Sequence, residues 1–242
     1  MRVRVGTSGY SYKEWKGTFY PADQKADGML RFYASQFDTV EINNTFYRMP
    51  QATVVAAWAE QAPDNFSFVL KAPQKITHMR RLKDAGDEVL FFLRVASELG
   101  KKAGPLLFQL PPNFKKDVPR LAAFLALIPP PVRAAFEFRH ASWFDDEVYA
   151  TLRARGVALC TVDTEEGETP LVPTAEFGYF RLRDKEYSPA ELAAWAARIA
   201  GQPWTDAHVF FKHEDEGKGP KLAAALKKII QRTPSGGRDL LA

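Results

Sequence analysis

Residues 39–48 read TVEINNTFYR. Val40 and Ile42 alternate with Thr39, Glu41 and Asn43, which is the period of a strand. An ordinary half-buried strand would leave Glu41 in water. The neighbouring residues argue otherwise. Asn43, Asn44 and Thr45 make a polar corner, and Phe46 and Tyr47 come at once, where a solvated loop rarely carries two aromatics. Whether Glu41 is a surface charge or a carboxylate aimed into a site depends on the sheet this strand joins.

Working outward, similar runs recur along the chain: RVRVG (2–6), FSFVLK (66–71), PLLFQL (105–110), RAAFEFR (133–139), VALCTVD (157–163), GYFRLR (178–183) and HVFFK (208–212). Helical patterns lie between most of them, at about 28–37, 51–61, 84–99, 117–128, 145–155, 189–200 and 219–231. Asp117, Asp145 and Ser188 stand at helix starts, Pro189 fits a first turn, and Gly100, Gly156 and Gly201 mark ends. Several strands are apolar on both faces, as when helices cover a parallel sheet. Eight strands with intervening helices in 242 residues is the arithmetic of a single α/β domain of the (β/α)8 TIM-type barrel, with a doubly wound open sheet as the rival. The sixth βα unit is irregular: TEEGETPLVPTAEF (164–177) has turn residues and no helical period, and reads as a functional or capping loop. The expected domain is 1–232, with 233–242 a flexible tail.

Composition sets the class. The chain is 46% hydrophobic and 26% charged, a globular balance. The opening MRVRVGTSGY lacks a signal-peptide pattern, and no apolar run approaches the ~18 residues of a membrane span. The single cysteine, Cys160, excludes an internal disulfide and reads as a small buried hydrophobe. A cytoplasmic protein with no membrane association is expected. The net charge of +4 is spread over several segments and gives only weak support for nucleic acid as a partner.

Barrels of this type keep their chemistry at the C-terminal strand ends. These ends carry Ser8, Glu41 with Asn43, Lys71, Gln109, Glu137 with Arg139 and His140, Asp163, Arg181 with Arg183, and Lys212 with His213 and Glu214. Side chains alternate across a strand. With Val40, Ile42, Phe136, Phe138, Phe180 and Leu182 facing the helices, Glu41, Asn43, Glu137, Arg139, Tyr179, Arg181 and Arg183 face inward. The same reasoning, with Cys160 and Val162 outward, turns Thr161 and Asp163 inward. A ring of ionisable groups inside a barrel is costly unless paired or used. Its cationic excess suits a small anionic ligand, with Arg139 and Arg181 positioned for bidentate contacts. In GTSGYSYKEWKGTFYP (6–21), Tyr10, Tyr12 and Trp15 either wall a pocket or pack as a closing loop. The glycine spacing is not that of a nucleotide fingerprint. His78, after the third strand, reads first as a loop residue.

In order along the chain, VGTSGYSYKEWKGTFYP (5–21), FDTVEINNTFYRMP (37–50), FSFVLKAPQKITH (66–78), PLLFQLPPNF (105–114) and FEFRHASWF (136–144) resemble the domain-of-unknown-function 72 family, the YecE-like proteins. The resemblance implies a TIM-type barrel and no established activity. It places Glu41, Lys71, Gln109, Glu137, Arg139 and His140 inside the family's signature segments. The segment FFKHEDEGKGPKLA (210–223) departs from it, with Lys212 and His213 where the family carries asparagines.

The expectation is an enzyme, of hydrolase or lyase type, acting on a small anionic or carbohydrate-like ligand by acid–base chemistry. Glu41, Glu137, Lys71 and Asp163 are the candidate catalytic residues. Ser8, Tyr10, Asn43, Gln109, Arg139, His140, Arg181 and Lys212 are the candidate ligand contacts. No cofactor is expected, and no metal ligands are assigned, although Glu41, Glu137, His140, Asp163 and His213 offer donors for a divalent ion. The alternatives are a metal-dependent phosphodiesterase or nucleic-acid-processing enzyme, and a non-catalytic binding module for nucleic acid or protein. Oligomeric state is left open.

Overall fold

The fold is known from a computed structural model, which describes residues 1–212 and 215–232. His213, Glu214 and the expected tail 233–242 lie outside the described residues. The alternating runs form parallel strands: β1 (Arg2–Thr7), β2 (Thr39–Ile42), β3 (Ser67–Leu70), β4 (Leu106–Gln109), β5 (Ala134–Glu137) and β6 (Ala158–Thr164). A two-residue strand, β7 (Gly167–Glu168), folds back antiparallel on β6, and β8 (Phe177–Leu182) and β9 (Asp206–Phe211) complete the set.

The parallel order β1-β9-β8-β6-β5-β4 is closed into a barrel by the β2–β3 pair. Ser8 bridges to Glu41 on one side of that pair, and Lys71 bridges to Leu107 on the other. The Gly9 N–H donates to the Glu41 carbonyl at 2.7 Å, and the Ala72 N–H to the Leu107 carbonyl at 2.8 Å. Closure rules out the open-sheet alternative. Gly6 makes the β1–β2 approach feasible, because a Cβ there would meet the Thr39 carbonyl oxygen and the Tyr33 hydroxyl.

Helices cover the outside: α1 (Met29–Gln36), a short α2 (Asn44–Tyr47), α3 (Ala52–Gln61), α4 (Gly86–Ala96), α5 (Val118–Leu125), α6 (Asp146–Arg153), α7 (Pro189–Ala200) and α8 (Lys218–Arg232). Their starts follow the capping chemistry. Asp117 accepts from the Arg120 N–H, Asp145 from the Glu147 N–H, and Ser188 forms a capping box with Glu191. The sixth unit has the β6–β7 hairpin in place of a helix, as its turn-rich sequence implied.

Two apolar layers result. The outer layer packs strand residues such as Val40, Ile42, Phe108, Phe136, Phe180 and Leu182 against the helices. The Phe108 and Phe136 rings stack at 5.2 Å, and such a pair contributes about 0.5–1.5 kcal/mol beyond its burial. The inner layer fills the barrel with Val69, Leu107, Ala135, Cys160, Val162, Phe177, Tyr179 and Phe210. It forms an apolar floor under the C-terminal strand ends, so charges placed there are poorly screened. Among the described residues no helix is long and apolar enough to cross a membrane.

Candidate functional site

β2, β3, β4, β5 and β8 deliver one continuous polar network to the mouth. Glu41 is fully buried. Its Oε1 accepts from Ser8 Oγ at 2.6 Å and from the Arg181 guanidinium at 2.8 Å, and its Oε2 accepts from the Tyr179 hydroxyl at 2.5 Å. Arg181, 1% exposed, also donates to Glu137 Oε2 at 2.5 Å. Glu137 Oε1 accepts from Gln109 Nε2 at 2.7 Å and from Arg139 Nε at 3.1 Å, with Arg183 at 4.0 Å. Gln109 Oε1 in turn accepts from Lys71 Nζ at 2.8 Å. The Lys71 ammonium lies 4.0 Å above the centre of the Phe46 ring.

The charges here are unequal in their comfort. Burial opposes ionisation of both carboxylates, but Arg181 and the other donors and cations around them together outweigh it and hold Glu41 and Glu137 below the usual carboxylate range. Glu41 is helped by its hydrogen bonds from Ser8 and Tyr179, and Glu137 by Arg139 and Arg183. Lys71 goes the other way. Burial and the repulsion of Arg181 pull its pKa from 10.5 to about 7. Its hydrogen-bond acceptor is a neutral amide, and among the described residues no carboxylate lies within ion-pairing distance of it. Arg183 is also pushed down by burial and by Arg181.

The mouth opens into a cleft of about 860 Å³ whose lining includes Glu137, Arg139, Phe144, Val162, Arg183 and the hairpin residues Thr164–Thr169. Gly167, at φ +124°, lets the hairpin reverse, and its exposed carboxylates Glu165 and Glu166 stand on the cleft wall. The loop after β3 forms a π-helical turn over Lys75–Met79. It sets the half-buried His78 ring edge-to-face on Phe46 at 4.9 Å. Burial and the nearby Lys71 lower the His78 pKa.

The sequence expectations meet this geometry unevenly. Ser8, Glu41, Lys71, Gln109, Glu137, Arg139 and Arg181 come together. Three readings need correction. Asp163 points away from the ring, where its Oδ2 accepts from the Tyr187 hydroxyl at 2.8 Å. The β6–β8 register pairs Cys160 with the inward Tyr179 and Asp163 with the outward Leu182, and parallel partners share a face. The run ALCTV is apolar enough on both sides to hide that parity. Arg181 is no ligand clamp, because both its terminal nitrogens are engaged by Glu41 and Glu137. Tyr10 sits on the helix side, its ring 6.2 Å from Tyr33 and its carbonyl accepting from the Tyr20 hydroxyl. Trp15 is 1% exposed, so this aromatic segment packs as a closing loop.

Of the remaining positions, Asn43 precedes α2, with its buried Oδ1 unpartnered among the described residues. His140 caps the turn Ala141–Trp143, its Nδ1 accepting from the Ser142 N–H at 3.2 Å. Lys212 follows β9 half-buried, its N–H donating to the Leu182 carbonyl. Tyr179, Arg183 and Phe46 join the site without having been candidates, and so does His78, whose first reading from the sequence was a loop side chain and whose second was a pocket residue. Strand parity already turned the first two inward, and only the chain path brings in the others. For a divalent ion, Glu41 and Glu137 are poor donors because each oxygen already accepts a hydrogen bond. Among the described residues no group of three or more His, Cys, Asp or Glu side chains gathers at metal-binding distance.

Fold and site together define a TIM-type barrel with a buried, cation-rich charge network across its C-terminal mouth. The chain belongs to the family described as "Protein of unknown function DUF72", which matches residues 4–239. It is 34% identical over 141 residues to UPF0759 protein YecE of Escherichia coli K12, covering 56% of this chain and spanning only about half, 52%, of that relative's length. UPF0759 protein YunF of Bacillus subtilis is 24% identical over 231 residues, 88% of this chain and 79% of that protein. A crystal structure of a DUF72 family protein from Thermotoga maritima superposes with a TM-score of 0.86 at 28% identity, over 96% of this chain and 100% of the other. One from Enterococcus faecalis shares the fold with a TM-score of 0.81 at 19% identity, over 96% of each chain.

Proposed function

We propose that this protein is an enzyme acting on a small, anionic, carbohydrate-like ligand in the cleft at the C-terminal mouth, by acid–base chemistry. The observation that carries this reading is the division of labour among the buried charges. Arg181 bonds to Glu41 at 2.8 Å and to Glu137 at 2.5 Å and favours both as anions, while Lys71 donates at 2.8 Å to a neutral amide, and burial and Arg181 bring its pKa down to about 7. Groups poised in this way are what proton transfer requires. The roles expected of the carboxylates therefore pass to Lys71, and the carboxylates become its scaffold.

Arg139 and Arg183 face the cleft and supply the anion contact. Glu165 and Glu166, which line the same cleft, would accept hydrogen bonds from hydroxyl groups and repel an extended polyanion. That arrangement favours a small ligand over a nucleic-acid backbone. The test is isothermal titration with inorganic phosphate and with gluconate. Binding should weaken at least about tenfold in Arg139→Gln and in Arg183→Gln, the loss of one charge-assisted contact. No binding to either anion, or binding indifferent to both substitutions, removes this reading.

A further inference from the structure

We propose that Lys71 is a carbonyl-directed nucleophile, and that the site takes aldehydes or ketones bearing a phosphate or carboxylate and holds them as an imine on Lys71 Nζ. The inference rests on the barrel mouth being a reaction site and goes further by naming the bond that forms. Four observations converge on it. Lys71 keeps a small exposure of 8%, too little for full hydration of an ammonium. Nζ donates to an amide oxygen, Gln109 Oε1, an acceptor that orients the amine without fixing its charge. Burial disfavours its protonated form most, and the repulsion of Arg181 adds to this against the attraction of Glu137 and Glu41. Phe46 lies 4.0 Å beneath the amine and meets the His78 ring at 83° with centroids 4.9 Å apart, so one aromatic ring touches both a nucleophile and a proton carrier.

The chemistry balances with these groups. Neutral Nζ adds its lone pair to the carbonyl carbon, the C=O π pair moves to oxygen, and a proton passes from nitrogen to oxygen through His78. The carbinolamine hydroxyl takes a second proton, delivered from solvent by His78, and leaves as water while the nitrogen lone pair closes an iminium. Thr77 Oγ1, 2.9 Å from His78 Nδ1, leaves Nε2 to exchange the protons. Arg139 and Arg183, held around Glu137, provide the grip for the anionic end. The iminium then draws electrons from the bonds at the neighbouring carbon, the usual purpose of a lysine imine.

The test incubates the full chain with dihydroxyacetone phosphate, pyruvate or uncharged dihydroxyacetone at pH 7.5, in the presence of cyanoborohydride. Adducts are mapped by peptide mass spectrometry. Lys71 should be labelled roughly tenfold or more faster than exposed lysines, with a rate profile whose midpoint lies near pH 7. His78→Asn should slow labelling at Lys71 while leaving phosphate affinity intact. Arg139→Gln should slow labelling by the two anionic probes and not by dihydroxyacetone. Lys71→Arg, which keeps a cation on Gln109, should abolish the mapped adduct. Labelling confined to exposed lysines, with phosphate still bound, overturns the covalent proposal and leaves the anion site standing. Loss of both overturns the two together.

Discussion

Arg181 is the residue on which the mouth turns. A guanidinium 1% exposed would be untenable alone, and two carboxylates buried beside it would be equally so. Each partner's desolvation is offset only while the others stay. Arg181→Met should therefore cost about 3–5 kcal/mol in urea unfolding at pH 7, since it leaves Glu41 and Glu137 as unpaired buried charges. The loss should shrink on going to pH 5, where the stranded carboxylates, now raised in pKa, take up protons. A cost under about 1 kcal/mol would mean that the triad is not what holds the network. Lys71 obeys the opposite sign. Its folded pKa of about 7 lies below the ordinary 10.5, so the unfolded chain binds the extra proton between those values. Stability of the wild type relative to Lys71→Met should rise between pH 7 and 10.5, as followed by denaturation across that range.

At the scale of elements, the loop between β3 and α4 carries the most backbone strain. After the π-helical turn, Arg81, Leu82 and Asp84 adopt positive φ of 48°, 67° and 48°. Left-handed conformations cost a side-chain-bearing residue about 1–2 kcal/mol each. Burial of the Leu82 side chain, 3% exposed, anchors the loop against that cost. Asp84 is exposed and anchors nothing in the same way. Asp84→Gly should then raise stability by about 1 kcal/mol in equilibrium unfolding, whereas Leu82→Gly should lower it. The loop's shape serves the site, because it is what brings His78 onto Phe46. The β6–β7 hairpin lines the cleft itself and brings Glu165 and Glu166 to it.

Over the whole molecule, ionisable groups are buried at both ends of the barrel. Toward the N-terminal strand ends, Asp206 pairs with Arg133 at 2.7 Å and with Arg4 at 3.5 Å, and His208 lies 1% exposed beside it. Burial and the charge of Arg133 lower the His208 pKa to about 3. The folded state thus refuses a proton that the unfolded chain accepts below about 6.5. Its contribution is complete above pH 6.5 and disappears as pH falls toward 3. Glu41 and Glu137 add to the loss below their ordinary 4.5. Calorimetry at pH 7.5, 5.5 and 4 should show a falling Tm. His208→Gln should flatten the upper part of that fall and leave the lower part, which belongs to the carboxylates.

The succession of strands and helices, the caps at Asp117, Asp145 and Ser188, and the inward turn of Glu41, Glu137, Tyr179 and Arg181 were all determined by the sequence itself. Periodicity and capping are local physics, and Phe136, Phe138, Phe180 and Leu182 mark the outer face plainly. TVEINNTFYR belongs to this class: its alternation suffices to aim Glu41 at a barrel interior. Three matters were decided only by tertiary structure. Inter-strand register turned Asp163 outward, because ALCTV is buried on both faces and carries no parity of its own. Proximity assigned Arg181 to Glu41 and Glu137, since which cation meets which carboxylate depends on distances across the barrel that no local pattern encodes. The same pairing left Lys71 with a neutral amide as its hydrogen-bond acceptor and the Phe46 ring beneath it, so which cation the carboxylates did not take was also decided across the barrel.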